Sequence, residues 1–523
     1  MFIKVVMRMK RFKKNWFIYL IIIITIIRIL FTLNLPNFYL KNLLYDDDLM
    51  IRGFSFLRQG EYLGHYYKST LVKGPIFSII LFIISLYRMK YTNIFSLLYI
   101  LASLFFTLSL KNIIKDKKYL LLIYIILLFN PAAYSQDLFQ RLYRNSISIT
   151  EFIFFFACVI RVLFHEDKKI LNYSLLGISL SLLFLTREDN LWVYPIILFI
   201  IIYTIFKNRN KKTILLNVIP IVILVGSLNI ISFINYKHYG IYTYNEIQKS
   251  EFHNTYKKIL QIKDSEKIEK VVIPKSTLYL LAEKTESFKL TKKDIDAYYK
   301  DFQIENEEIY NGNIIWYLRD MIYCYNKFTS GSISEEYYKK LGEELDKLFK
   351  DGTLEKEFIM PSIYMAVPTV NELKQIPGNL LYAIKYTTSY DDIKTMTDTS
   401  DYEYDSNVGA YKLGYIDYHN TINITEHNSL KYEIVRQFYK YFTIIFSIIS
   451  LIIYFKNILK FDEISILSHI LLVCYELIIG GVTYTHTTSF HAIRPLYLGI
   501  IYIVQSMFIV ISLARIKFNK KKD

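Results

Sequence analysis

Cysteine is scarce in this chain, and what is missing narrows its chemistry early. Only Cys158, Cys324 and Cys474 occur in 523 residues, and the first and last fall inside apolar runs. No disulfide framework is expected from that pattern. Neither phosphate-binding glycine signature, GxxxxGK[ST] or GxGxxG, is present, which disfavours a cytoplasmic nucleotide-sugar donor. HExxH and the EF-hand spacing are absent too, so a metal site has little local support beyond a run of three aspartates. No solenoid-type repeat and no long low-complexity segment is found.

Apolar sequence fills the space instead. The chain is 53% hydrophobic, with Ile-rich and Phe-rich runs recurring toward both ends, which places it in the membrane class. A formal charge of +16 could point to nucleic acid. The Lys and Arg residues sit in short clusters between apolar runs, however, where the positive-inside rule puts them. Membrane lipid, not nucleic acid, is the expected partner of that charge.

Those clusters orient the chain. Lys4, Arg8, Lys10, Arg11, Lys13 and Lys14 precede the apolar run Phe17 to Asn34, so the N-terminus is expected in the cytoplasm. No small-residue cleavage site follows this run, which reads as a retained anchor. The stretch Ile76 to Tyr87 is only about 12 residues, the length of a re-entrant or interfacial helix. If it does not cross, the clusters at Lys111–Lys118, His165–Lys169, Lys207–Lys212 and Lys456–Lys460 and the basic tail all fall on the cytoplasmic side. The expected fold is an all-α polytopic membrane protein of ten to eleven spans, near 17–34, 93–110, 119–133, 147–164, 171–186, 190–206, 213–235, 434–455, 463–483 and 495–514. Both termini are expected in the cytoplasm and the protein in a bacterial plasma membrane.

Three parts follow from this reading: a membrane module at 1–235 whose first external loop is 35–75, an external region at 236–432, and terminal helices with a basic tail at 433–523. The external region lacks any long apolar run and is expected to be mainly α or α/β. "SISEEYYKKLGEELDKLF" (Ser332 to Phe349) has apolar residues at helical spacing behind a helix-start signal.

On that topology the unusual polar residues share one side. They are Asp46, Asp47 and Asp48, then His65 and Lys73, then Arg141 and Arg144, then Arg187 and Glu188, and last His486, His491 and Arg494. A carboxylate there can serve as general base or ligate a divalent cation, Mg or Mn, with Asp46 and Asp47 the candidate ligands. Lys and Arg can hold a phosphate, Arg by a bidentate fork and Lys as a point charge. Together they describe sugar transfer from a lipid phosphate, with cations stabilising the leaving group.

The same residues carry a resemblance. A first span, an acidic pair opening the first external loop, "GEYLG" (Gly60 to Gly64) and Lys73-Gly74-Pro75 before the next apolar segment resemble the N-terminal half of polyprenol-phosphate-dependent membrane glycosyltransferases of the GT-C fold. The likeness is nearest to the protein-mannosyltransferase and aminoarabinose-transferase branch. It covers about residues 17 to 206, with "LTREDNLWVYP" (Leu185 to Pro195) resembling a later segment. The resemblance implies that the acidic pair, Asp46 and Asp47, holds the catalytic base and that Lys73 contacts the carrier phosphate. It also implies a polyprenyl-phosphate-linked sugar as donor, undecaprenyl phosphate being the bacterial expectation, and a glycan, lipid or protein as acceptor. Gly74 stands where the family motif has its first Pro, and the extra Asp48 leaves the register open by one. Arg187 and Arg494 are further candidates for the donor phosphate. Asp48, His65, Arg141, Arg144, Glu188, His486 and His491 are candidates for substrate contact.

Each residue also has a plainer reading. Asp46 to Asp48 can charge the start of an interfacial helix. Lys73, Arg141 and Arg144 can snorkel, and Arg187 can pair with its neighbours Glu188 and Asp189. His486, His491 and Arg494 can form an ordinary hairpin tip, and Trp316 and Arg319 the core and surface of a helix. Two other functions stay open: a transporter or flippase of lipid-linked saccharide, which would place ionisable groups at mid-span as Glu476 is placed, and a non-catalytic envelope assembly protein.

Overall fold

The computed structural model describes residues 2–33, 35–37, 46–87, 89–263, 268–302, 308–310, 312–357, 367–396 and 426–519. Parts of the expected catalytic loop (38–45) and of the 236–432 region, chiefly 397–425, therefore lie outside the described residues, as does the end of the basic tail. The chain opens with α1 (Phe2–Thr32), α2 (Asp46–Gln59), α3 (Ile76–Leu86), α4 (Tyr91–Ser109) and α5 (Lys117–Leu128). There follow α6 (Asn145–Phe164), α7 (Lys169–Thr186), α8 (Val193–Asn208) and α9 (Lys211–Tyr239). Five shorter or amphipathic helices come next: α10 (Glu251–Leu260), α11 (Lys275–Lys284), α12 (Lys292–Asp301), α13 (Ile314–Asn326) and α14 (Gly331–Lys350). The last four are α15 (Val370–Ser389), α16 (Glu426–Lys456), α17 (Glu463–Thr488) and α18 (Pro495–Asn519). No strand occurs among the described residues, only the isolated bridges Ile262–Lys356 and Val271–Tyr310. The α/β option for the 236–432 region is corrected to α in its described part.

Among the described residues eight helices are long and apolar enough to cross a membrane, nine if α5 and its bent continuation Pro131–Gln140 are one span. The expectation of ten to eleven is corrected accordingly. The run expected at 119–133 breaks where Pro131 offers no N–H to the helix, and the axis turns by 55°. The run expected at 190–206 is α8, with 16 residues. At about 1.5 Å each it reaches roughly 24 Å, less than a hydrocarbon core of about 30 Å. Yet it joins the two ends of the bundle: it starts beside Asn190 at the site end, and its Lys207 donates to the Leu163 carbonyl at the other end of α6 (3.2 Å). The spans within α6 and α18 are each 83% buried and form the centre, while those of α1 and α9, at 22% each, face outward.

The start of α4 lies beside the end of α1, since Thr92 donates to the Leu35 carbonyl (2.9 Å) and Thr32 and Ser96 share a hydroxyl bond (3.0 Å). The chain between them therefore leaves and rejoins the bundle at one end. Helix α3, with 11 residues, is too short to cross and packs back on α2. Arg28, fully buried inside α1, answers the break after α5: its Nε donates to the Leu128 carbonyl (2.7 Å) and its Nη2 to that of Ala133 (3.1 Å). Carbonyls freed by the missing helical bonds are satisfied by a side chain where no water is at hand.

A second apolar core gathers Tyr239 through Leu354, built on α10 to α14, and it takes in Tyr66, Leu71 and Val72 from the loop before α3. Helix α15 belongs instead to the bundle. Its Asn379 donates to Thr487 (2.9 Å), its Thr387 accepts from Gln505 (3.2 Å), and Tyr390 just past its end packs on Tyr439 and Tyr502.

Candidate functional site

The three aspartates form the first turn of α2, where acidic side chains meet the positive end of the helix dipole. Successive helical residues point about 100° apart, so the three carboxylates separate. Asp47 is fully buried and both its oxygens are taken by the Arg141 fork, Nε to Oδ2 at 2.7 Å and Nη2 to Oδ1 at 2.5 Å. Asp48 pairs with Arg52 one turn along (2.8 Å). Asp46 keeps 34% of its side chain exposed, with Oδ2 at 3.2 Å from Lys73 Nζ and 3.7 Å from Arg144 Nη2.

Glu188 completes the group. It lies 3.6 Å from Lys73 Nζ and accepts a short hydrogen bond from Arg144 Nη1. Two cations and two carboxylates thus alternate around one centre. Tyr143 donates to Asp46 (3.0 Å) and accepts from Arg144 (3.0 Å). Burial would raise the Asp46 carboxyl, but Lys73 and Arg144 outweigh it and hold Asp46 below the usual carboxylate range. Burial pushes the Tyr143 phenol up to about 12, against the pull of Arg144. Tyr143 is therefore a neutral donor toward Asp46 at any physiological pH.

Gly74 brings Lys73 to this centre. A Cβ on Gly74 would sit 2.5 Å from the Leu185 carbonyl oxygen, so only glycine lets the loop backbone lie against the end of α7. Proline would collide there. Arg187 follows α7 directly and ties three helix ends together: it donates to the Asn145 side chain, to the Leu496 carbonyl (3.1 Å) and to Asp189 (Nε to Oδ1, 2.9 Å). Paired with Arg187, the half-exposed Asp189 carboxyl is held well below its usual range.

The remaining candidates lie at or beyond the margin. Tyr497 stands in the electrostatic field of Lys73, Arg187, Asp46 and Arg494 together, which puts Arg494 near the cluster. Arg494 is exposed and donates to the His491 carbonyl (2.7 Å), and the His486 and His491 rings lie 4.6 Å apart. His65 is exposed; its backbone carbonyl accepts the Thr70 hydroxyl, and its side chain takes no part in the cluster. Among the described residues no group of three or more His, Cys, Asp or Glu side chains comes together to hold a metal ion. Asp46 and Asp47 diverge, and Arg141 engages both oxygens of Asp47.

Three residues of α13 touch the site or its loop; of these, Trp316 and Arg319 have the sequence reading of ordinary helix core and surface. Lys73 Nζ stands 5.2 Å from the centroid of the Trp316 ring, Arg319 donates to the Lys68 carbonyl (2.5 Å), and Asp320 pairs with Lys68 Nζ (2.5 Å). The signal available was Trp and Arg three residues apart, hence on one helix face. Comparison of the chain with protein-family models, with curated proteins and with solved structures finds no match.

Proposed function

We propose that this protein is a membrane glycosyltransferase that moves a sugar from a polyprenyl-phosphate donor to an acceptor hydroxyl or amine. One observation carries the reading: a partly open carboxylate, Asp46, stands 3.2 Å from Lys73 and 3.7 Å from Arg144 at one end of a bundle of membrane helices. Asp46 takes the acceptor's proton as the acceptor atom bonds to the anomeric carbon, and the bond from that carbon to the phosphate oxygen breaks. The electron pair leaves with the polyprenyl phosphate, whose charge Lys73 and Arg144 stabilise. In the resting site Lys73 depresses the basicity of Asp46. A donor phosphate that drew the ammonium to itself would restore it, coupling base strength to donor binding.

Asp47 is poorly placed to meet an acceptor, because its side chain is fully buried and each of its oxygens is already engaged by the Arg141 fork. A transport reading gains some support from Arg28 at the broken α5, the kind of device found in transporters. Against it, Glu476, the ionisable residue at mid-span in α17, is exposed and not held inside the bundle. Incubating membranes that contain the protein with a panel of polyprenyl-phosphate sugars tests the proposal. One donor should be consumed and its sugar recovered on an acceptor; if no donor is consumed beyond the level of membranes lacking the protein, the proposal fails.

A further inference from the structure

The second core has no role in the transfer just described, yet it grips the loop that carries Lys73. Arg319 donates to the carbonyls of Lys68 (2.5 Å) and Thr70 (3.4 Å), the Glu246 amide to that of Leu71 (2.9 Å), and the Asn245 side chain to that of Val72 (3.2 Å). Four of five successive carbonyls are thereby held from one side. Arg319 and Glu246 are themselves paired and buried, at 3% and 1% exposure. Immediately after Lys73, Gly74 rests on the Leu185 carbonyl of the bundle. Lys73 thus stands at a seam, its approach fixed by the second core and its exit by α7, with the Trp316 ring beneath its ammonium.

We propose that α13 is the positioning element of the site: Arg319, with Glu246, sets the path of the 68–72 backbone, and Trp316 holds the Lys73 ammonium beside Asp46. A long lysine side chain has several rotatable bonds and many positions open to it. An aromatic face within about 6 Å restrains a cation without neutralising it, leaving the full charge for a phosphate. Asp320, by pairing with Lys68, keeps the other lysine of the loop turned away from the centre. This inference rests on the glycosyl-transfer reading for the meaning of Lys73, but not for the mechanical link between α13 and the loop.

The test uses the full chain in lipid nanodiscs with undecaprenyl phosphate as the probe, together with hydrogen exchange of the loop amides. Trp316→Leu should weaken binding of the probe about threefold to tenfold, the range of a partly desolvated cation–π contact. Trp316→Phe should restore it to within about twofold, because an aromatic face remains. In a Lys73→Gln background the Trp316→Leu effect should vanish. Arg319→Gln should speed exchange at residues 66–74 by about tenfold or more while α14 keeps its protection. A Trp316→Leu effect that persists without Lys73, or Arg319→Gln opening α14 along with the loop, would overturn the proposal in favour of a purely structural role. If no form of the protein binds undecaprenyl phosphate while the loop alone responds to Arg319→Gln, the transfer reading falls and the hold of α13 on the loop stands.

Discussion

Helix α9 of the bundle turns Leu215, Val222 and Ile230 outward at 73%, 60% and 62% exposure, whereas α14 of the second core buries Leu341 and Leu345 completely and exposes Glu336, Lys339 and Lys340. One outer face suits hydrocarbon and the other suits water. The charged cluster sits where the two meet. A set of ionised side chains there escapes the cost of burial in the middle of a bilayer, and the position suits a donor that is part lipid and part sugar. The contrast also sets how each region responds to substitution. Residues of the seam serve both parts, while residues on either outer face serve only their own.

The sharpest break in that contrast is expected at Asp47. Removing one member of a buried ion pair strands the other, so Asp47→Asn should cost about 3 to 5 kcal/mol, read as a lower midpoint in thermal or denaturant unfolding and a lower yield. Gly74→Ala comes next: a Cβ would sit 2.5 Å from the Leu185 carbonyl, and the forced shift should cost about 1 to 3 kcal/mol and carry Lys73 away from Asp46. Lys73→Gln should fold normally and act through charge. Because Lys73 is the largest of the influences lowering the Asp46 carboxyl, its loss should move the acid limb of a pH–rate profile to higher pH and weaken donor binding. Smallest of all is Lys340→Gln, which removes a surface pair with Glu336 (2.8 Å) on α14; unfolding and turnover should both be unchanged.

The apolar runs made most of the bundle legible, because a helix in lipid is apolar over a length fixed by the bilayer. The run at 190–206 was legible as the apolar helix α8, but not its length of 16 residues. Pro131 in the run at 119–133 was visible, yet only the fold tells a proline that kinks a span from one that ends it. In the site, Asp46, Lys73, Arg144 and Glu188 could be nominated from side-of-membrane reasoning, and the structure brings those four together. Which aspartate faces the open centre could not be read, since neighbouring helical residues differ only by rotation. Trp316, Arg319 and Glu246 could not be read either. Arg319 meets Lys68 across 251 positions of chain, and no periodicity reports a contact at that separation.

The separation of Asp46 from Asp47 is the claim on which the mechanism stands, and turnover measured per folded molecule tests it most directly. With the donor identified and the amount of folded protein matched, Asp46→Asn should lose about 100-fold or more in turnover while donor binding changes little. Asp47→Asn, for whatever fraction folds, should keep turnover within about tenfold of the parent, as a change that touches stability and not proton acceptance. Full turnover by a folded Asp46→Asn protein would contradict the account, leaving the three aspartates as the charged first turn of an interfacial helix.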